Sequence, residues 1–553
     1  MDPMRRILPL GVFVVLLVAY GCGSSDGDGG DGSTNPEGGP GGDVDGGPGA
    51  EGGGADTGAP WDGGVPPLPP AKCVSPVALV DVTTPTTVVG TGTPASCTEA
   101  ALRAAVTTGG IVTFNCGAAE HTITVTSPLA APVDKDTTID GGGKVVLSGG
   151  DTSRILELVH SFEKAAPTLT VQRITLTKGR TTDVPNTTAT TKGGAAIYTL
   201  GGNITAIETK ILDNHGPVTG QDVAGGGIYS VGAGSVIAVR SVFAGNTCSN
   251  GGALSVLGSN LSIIDTVLDA NSTTGTGGNP GNGGNGGAST MDGQGKTLTI
   301  CGSTFTNNKG QAFGGAIFRT SYQDEVTTID KTVFDSNQIP DQNPSQAGAV
   351  YLQGTKITMT NTSLTNNRAR FAAAMSVYEH GAPAPGSIDM TNVTIASNKV
   401  WEQMPFTNTG LVGGITVGDR VTGTWLNVTI AGNKAQFASG IGGASTRLTI
   451  KSSIIANEWL NDYTPLNCNG MSAKGSDDVQ WPANNKGSND LDCVTGITKA
   501  DPKLGALAGT GMLTMTPQAG SPALGIGKTC PATDQLGSPR KATGCTAGAI
   551  EVP

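Results

Sequence analysis

An asparagine recurs nine times along this chain, each time three residues after a large apolar one. The asparagines are Asn214, Asn246, Asn271, Asn308, Asn337, Asn367, Asn398, Asn433 and Asn457, and the apolar residues are Ile211, Phe243, Leu268, Phe305, Phe334, Leu364, Ile395, Ile430 and Ile454. Two residues earlier still stand Thr209, Ser241, Thr266, Ser303, Thr332, Thr362, Val393, Val428 and Ser452. Small or β-branched residues alternating with large aliphatics or Phe mark a strand with one buried face. The asparagines are 32, 25, 37, 29, 30, 31, 35 and 24 residues apart, a period that belongs to solenoids. The density of Gly, Thr and Val excludes helical repeats. What remains is a parallel β-helix, its coils stacked about 4.8 Å apart. The asparagine is expected at a corner, in the left-handed conformation, with its amide bonded to its equivalent one coil away. A second motif supplies another tight corner: a glycine pair opening a short apolar strand, as in Gly314-Gly-Ala-Ile-Phe318.

Phe305-Thr-Asn-Asn308 alternating with Gly-Gly-Ala-Ile resembles the repeat of polymorphic outer-membrane proteins, within the right-handed, pectin-lyase-like β-helix group. The resemblance covers roughly residues 170–457 and departs at Ala347-Gly348, at Ala372-Ala373 and at Leu176-Thr-Lys-Gly179, where no asparagine stands. It implies an all-β chain, a single-stranded right-handed parallel β-helix, here with an N-terminal helical cap. It implies no activity, because architecture and chemistry are separable.

Residues 1–21 read as a secretion signal: Arg5-Arg6, then an apolar run from Ile7 to Tyr20 too short to span a bilayer. Gly21-Cys22 resembles a bacterial lipoprotein signal, with Cys22 becoming the lipid-bearing first residue, although Ala19 and Tyr20 depart from the pattern. By that resemblance, Gly23 after the cysteine implies the outer membrane. Residues 22–72 are expected to be a disordered Gly/Asp/Pro-rich tether. Nine carboxylates and no base lie in its residues 23–71. Removing these with Asp2, Arg5 and Arg6 from 44 acids and 33 bases leaves 34 and 31, a net charge of -3 from Lys72 onward. The acidity thus belongs to the tether, and nucleic acid is not an expected partner.

Residues 73–150 are expected to hold the N-terminal cap and first coils. Ser96-Cys97-Thr98-Glu99 reads as a capping box before the helix Ala100–Val106, followed by strands at Ile111–Phe114, Thr122–Val125, Thr137–Gly143 and Val145–Leu147. Residues 151–460 carry the repeats. Residues 461–553 form a cysteine-containing cap segment whose end, from Gly520-Ser-Pro-Ala523 to Gly548-Ala-Ile-Glu551, resembles the choice-of-anchor Q segment of bacterial surface proteins. With Cys22 lipidated, nine of the ten cysteines remain, and an exported chain is expected to pair them. The local pairs Cys97–Cys116, Cys468–Cys493 and Cys530–Cys545 would staple the two ends. Cys73, Cys248 and Cys301 are left unassigned.

A polysaccharide lyase is the competing reading, since such enzymes use this fold. It requires carboxylates from adjacent coils to hold calcium, and an Arg or Lys base on the same face. Asp213, Asp269 and Asp335 stand on alternate coils and read as turn residues. Asp477-Asp478 is the only Asp pair and lies in the end region. His215, Arg368 and Arg370 read as loop residues, and the four histidines are too scattered for a metal site. No catalytic set, metal or cofactor is expected. One constellation points to a ligand: the outward residues after the small-residue pairs include Tyr198, Tyr229, Phe318 and Tyr351, two adjacent-coil pairs separated by coils carrying Ser255 and Thr290, a rail of rings suited to stacking on sugars. The expectation is therefore a monomeric, lipid-anchored, surface-displayed β-helix, joined to the membrane by the lipid alone, that binds extracellular polysaccharide without cleaving it.

Overall fold

In the computed structural model the described residues are 63–182, 190–277, 282–321, 325–342, 344–379, 385–401, 411–443, 445–459, 466–469, 472–483 and 492–553. The expected signal segment, Cys22 and the expected tether up to residue 62 lie outside them.

Each coil contributes three short strands, all pairing in parallel with the coils above and below. Face 1 opens after the glycine pair and holds eleven strands, from Leu129–Ala130 to Ile441–Gly443. Face 2 is represented by Leu298–Cys301 and Thr327–Asp330, and face 3 by Thr304–Thr306 and Val333–Asp335. The fold is a single-stranded right-handed parallel β-helix. Its core is one continuous column of apolar side chains from Val89 to Ile497. The expected inward residues lie directly opposite one another, Phe243 on Leu268, Leu268 on Phe305 and Phe305 on Phe334. The last two rings stack at 4.9 Å and 22°.

The asparagine ladder forms, with one correction to its backbone. Asn337 Nδ2 donates to Asn367 Oδ1 (3.1 Å) and to the Phe305 carbonyl (2.9 Å), while its Oδ1 accepts from both amide nitrogens of Asn308. The left-handed residue, however, is the one before the asparagine in every repeat but the last: Asp213, Ala270, Asn307, Ser336, Asn366 and Ser397 have φ of 51–58°, and Gly245 and Gly432 lie at 66° and 64°. Bending the chain one residue early turns the asparagine inward, where its amide replaces the corner's missing backbone bonds. The ladder also runs one coil further than the repeat suggests, from Asn457 to Asn467. That last coil is one residue shorter on face 3, so Ile455 lies opposite Ile430 and enters the core in place of Ile454. Ser453 rather than Ser452 takes the hydroxyl position there, accepting from the Val428 N–H.

At the glycine-pair corner the first member is left-handed, Gly314 at φ 69° and Ala347 at 65°. The second lies under the next coil: a Cβ on Gly315 would stand 1.9 Å from the Gly348 carbonyl oxygen.

The N-terminal cap is a helix, Glu99–Thr108, burying Leu102, Ala105 and Val106. Its N-cap is Thr98, whose hydroxyl accepts from the Ala101 N–H, not Ser96 of the expected capping box. Ser96 ends a preceding 3-10 turn, where its hydroxyl accepts from the Thr91 N–H and donates to the Thr93 carbonyl. Glu99 is thereby freed to bind Arg103 and the Thr126 N–H.

Two straps cover the flanks. The segment around Lys72–Val80 lies on face 2, where the carboxylate of Asp265 accepts from the Lys72 and Cys73 amides, and Gln172 exchanges bonds with Val80. Within the expected tether, Leu68 already packs on Leu212, Val242 and Ala244. Residues 461–553 do more than close the end. Lys474–Ser476 and Val479–Trp481 continue faces 2 and 3 by a further coil. The chain then doubles back along face 3, where Gln535 bonds Ser363 and Thr394 and the Ala549 N–H reaches Thr429. There Ile454 and Val479 are buried beneath Ala523 and Ala547.

Candidate ligand-binding face

With straps on faces 2 and 3, the outer side of face 1 is where outward side chains and corner loops meet. Strand alternation sends two columns outward. In the first, Tyr198 lies opposite Tyr229, Tyr229 opposite Ser255, Thr290 opposite Phe318, Phe318 opposite Tyr351 and Tyr351 opposite Ser376. In the second, Leu200, Val231, Leu257 and Asp292 follow in register, and Gln353 lies opposite Tyr378. All four expected rings therefore point outward from one face.

Their surroundings divide them, and the rail is corrected at one end. Tyr198 and Tyr229 are only 1% and 2% exposed. The guanidinium of Arg154, paired with Glu157 at 3.0 Å, lies 4.8 Å over the Tyr198 ring. The Tyr229 hydroxyl donates to the Asp222 carbonyl at 2.8 Å, and burial pushes its pKa well above the ordinary value. These two rings are packing beneath corner loops, so neither offers a free ring face.

Phe318 and Tyr351 are only half-buried and stack at 5.1 Å and 21°. Two rings that the repeat pattern does not mark join them. Phe313, just ahead of a glycine pair, lies 5.3 Å from Tyr351, and Tyr378, on the second column, lies 5.7 Å from it. Gln353 donates to the Tyr351 hydroxyl (3.2 Å) and Gln346 to that of Tyr378 (2.6 Å). Burial raises the Tyr351 phenol to about 12, and burial also raises that of Tyr378, so both remain neutral donors. The result is a four-ring patch carrying two oriented hydroxyls. Counting outward residues after glycine pairs could not find Phe313 or Tyr378. The aromatic just ahead of the pair, repeated as Phe371 and Phe437, was the available signal.

Toward the N-terminal coils the second column leads into a cleft of about 400 Å³ lined by Phe162, Glu163, Leu257, Asp292, Gln294 and Lys296, with glycines between them. Phe162 is 50% exposed. Its loop lies tight on the coil below, since a Cβ on Gly232 would stand 2.5 Å from the Phe162 carbonyl oxygen. Asp292 accepts from the Thr320 hydroxyl at 2.7 Å. Burial, helped by Asp292, raises the carboxyl pKa of Asp222. Behind the cleft, Arg319 points into the solenoid with no exposed surface and donates to the Lys296 carbonyl at 2.7 Å. Burial lowers its guanidinium to about 10.

The corner aspartates have structural work. Asp269 accepts from Thr306 (2.6 Å) and Asn307 (2.9 Å) one coil on, and Asp335 accepts from Thr365 (2.6 Å) and Asn366 (2.8 Å). Their alternation follows: each carboxylate needs a Thr-Asn pair, not a second carboxylate, on the next coil. Asp213 bonds His215 at 2.9 Å, Arg370 pairs with Asp341, and Arg368 lies 3.7 Å over the Trp401 ring. The three expected disulfides are present, Cys97–Cys116, Cys468–Cys493 and Cys530–Cys545. A fourth joins Cys73 to Cys301, and Cys248 is a buried thiol.

No family model matches the sequence. No curated protein matches it either. Among solved structures, the chain is similar to the pectate lyase Pel9A at 11% identity, over 85% of this chain and 97% of that one, with a TM-score of 0.31. An overlap that loose carries no inference, and the fold rests on the strand register.

Proposed function

We propose that this chain is a lipid-anchored β-helix, displayed at the bacterial outer membrane, that binds an extracellular polysaccharide along face 1 without cleaving it. The observation that carries the reading is the stacked pair Phe318 and Tyr351, flanked by Phe313 and Tyr378 and by two oriented phenol hydroxyls. Stacked rings at coil spacing match the apolar faces of successive sugars, and the hydroxyls supply direction. The lipoprotein-like signal at Cys22 and the tether-like composition of residues 22–62 support display. A polysaccharide lyase remains the second reading, favoured by the cleft that gathers Glu163, Asp292 and Lys296.

The test is a glycan array with the body from residue 63 onward, followed by titration of the best ligand. Replacing Phe318 and Tyr351 together by Ala should weaken binding by about 1–3 kcal/mol. Ile317 and Val350 still fill the core, so the unfolding midpoint should fall far less than for a core substitution. Unchanged affinity in the double variant rejects the reading. Release of unsaturated oligosaccharides, detected by their ultraviolet absorbance, puts the lyase in its place.

A further inference from the structure

Resting on the reading that face 1 binds polysaccharide, we propose that the cleft at its Phe162 end receives a neutral or amino sugar unit and rejects uronic acids. Three features of the cleft set this preference.

The first is shape. Phe162 stands half out of the surface as one wall. Gly258 and Gly293 leave bare backbone beside Leu257 and Ala233, and Gly293 has Gly258 Cα only 2.7 Å from where its Cβ would be. A flat floor beside a ring wall suits a pyranose edge-on against the ring, and a volume of about 400 Å³ holds one or two such units.

The second is the kind of polar group on the rim. Glu163 and Asp292 are acceptors, Gln294 both accepts and donates, and Lys296 alone is a cation. Asp292 gives one oxygen to Thr320 and keeps the other for a ligand. Acceptor-rich rims satisfy sugar hydroxyls and ammonium groups, which donate, and leave a ligand carboxylate only Lys296 and the Gln294 amide as donors, with two carboxylates beside it.

The third is the charge behind the rim. Arg319, the group suited to gripping a carboxylate in bidentate fashion, is fully buried and turned to the Lys296 carbonyl, so it does not serve the cleft. Two more carboxylates stand nearby: Asp222 is close enough to Asp292 to be perturbed by it, and Glu325 is held by the Gly295 N–H and the Ser321 hydroxyl. Counted against Lys296 and the buried Arg319 guanidinium, whose charge Glu325 and Asp292 offset, the four acids leave the site net negative, a potential that repels a uronate and attracts a protonated amine.

The experiment compares three oligosaccharides of equal length by calorimetry in mildly acidic buffer: glucosamine, N-acetylglucosamine and galacturonate. Glucosamine should bind at least about tenfold more tightly than galacturonate, the difference shrinking as salt is added. In the variant carrying Glu163→Gln with Asp292→Asn, that advantage should disappear while N-acetylglucosamine still binds. Both replacements keep side-chain volume, and the amide introduced by Asp292→Asn keeps an acceptor for Thr320, so folding is spared. Phe162→Ala should weaken all ligands that bind. Galacturonate binding as tightly as glucosamine overturns the inference but leaves polysaccharide binding by face 1 standing. Failure of all three, with no hit on a glycan array, overturns both.

Discussion

Cys73 is disulfide-bonded to Cys301, a partner 228 residues further along the chain, with their Cα atoms 6.1 Å apart. The bond fixes the N-terminal strap at mid-solenoid, on the outer side of face 2, where Val77 and Cys73 cover Ile207, Val239 and Ile264. Cys97–Cys116 and Cys468–Cys493 are buried and Cys530–Cys545 has Cys545 buried, whereas both cysteines of this bond are half-exposed beside an open groove that includes Lys72 and Lys331. It is therefore the bond a thiol reductant should reach first.

Replacing Cys73 by Ser, together with Cys301→Ser, should free the strap and leave the coils stacked. Loop-closure entropy puts an upper limit of roughly 5 kcal/mol on the loss of stability. Limited proteolysis should cut the variant between Leu68 and Val80 while the rest stays intact. A strap as resistant as in the parent would mean that Asp265 and Gln172 hold it unaided.

Asn337 sits mid-ladder, with no exposed surface and four bonds to neighbouring coils through its amide. Changing it to Ala strands the Asn308 amides and the Phe305 carbonyl in the interior. Leaving several buried polar groups unpaired should cost about 3–5 kcal/mol, read as a lowered urea midpoint. A loss below about 1 kcal/mol would mean that water enters the corner and replaces the ladder.

Much of this fold is legible from the chain because a solenoid writes its core as a local repeat. Ile211 to Ile430 could be placed inward by spacing alone. The failures have physical causes. Spacing cannot say which residue of Asn307-Asn308 takes the left-handed turn, since both tolerate it. It misreads Ile454 because one residue is missing from that coil. Strap contacts such as Gln535 with Thr394, 141 residues apart, leave no periodic trace. For the candidate site, alternation placed Tyr198 and Tyr229 on the correct side of the sheet. Their covering comes from loops whose course no repeat dictates, and so does the cleft around Phe162.

The display reading makes Cys22 the attachment point. Cys22→Ser should leave the protein unlipidated and move it from the membrane fraction to the soluble one, with the disulfides of the body unchanged. Labelled fatty acid and cell fractionation read the two effects. Full membrane retention of the variant would show that another part of the chain holds it there.

Asp478 is the group that should tie stability to pH. It follows Ser453 at the position where most earlier coils, though not those of Val393 and Val428, carry a Ser or Thr hydroxyl, and it is 2% exposed. One carboxyl oxygen accepts from the Ser453 N–H at 2.7 Å, and the other has no partner among the described residues. Burial, and to a lesser degree the charge of Asp477, pushes this carboxyl up to about 8; Asp477 itself is paired with Lys528 at 3.0 Å. In the unfolded chain an aspartate titrates near 3.9. Between those values the folded protein holds a proton that the unfolded chain has released, so stability must fall as pH rises through that window and level off above it. The slope is about 1.4 kcal/mol per pH unit, and the whole window amounts to something on the order of 5 kcal/mol. Asp478→Asn keeps the acceptor for Ser453 and cannot ionise. The variant should match the parent at the acid end of the window and exceed it progressively towards the alkaline end, in urea titrations that follow the C-terminal coils. Parallel profiles for variant and parent would show that water or a rearranged Lys528 neutralises the charge, and that this carboxyl is ionised throughout.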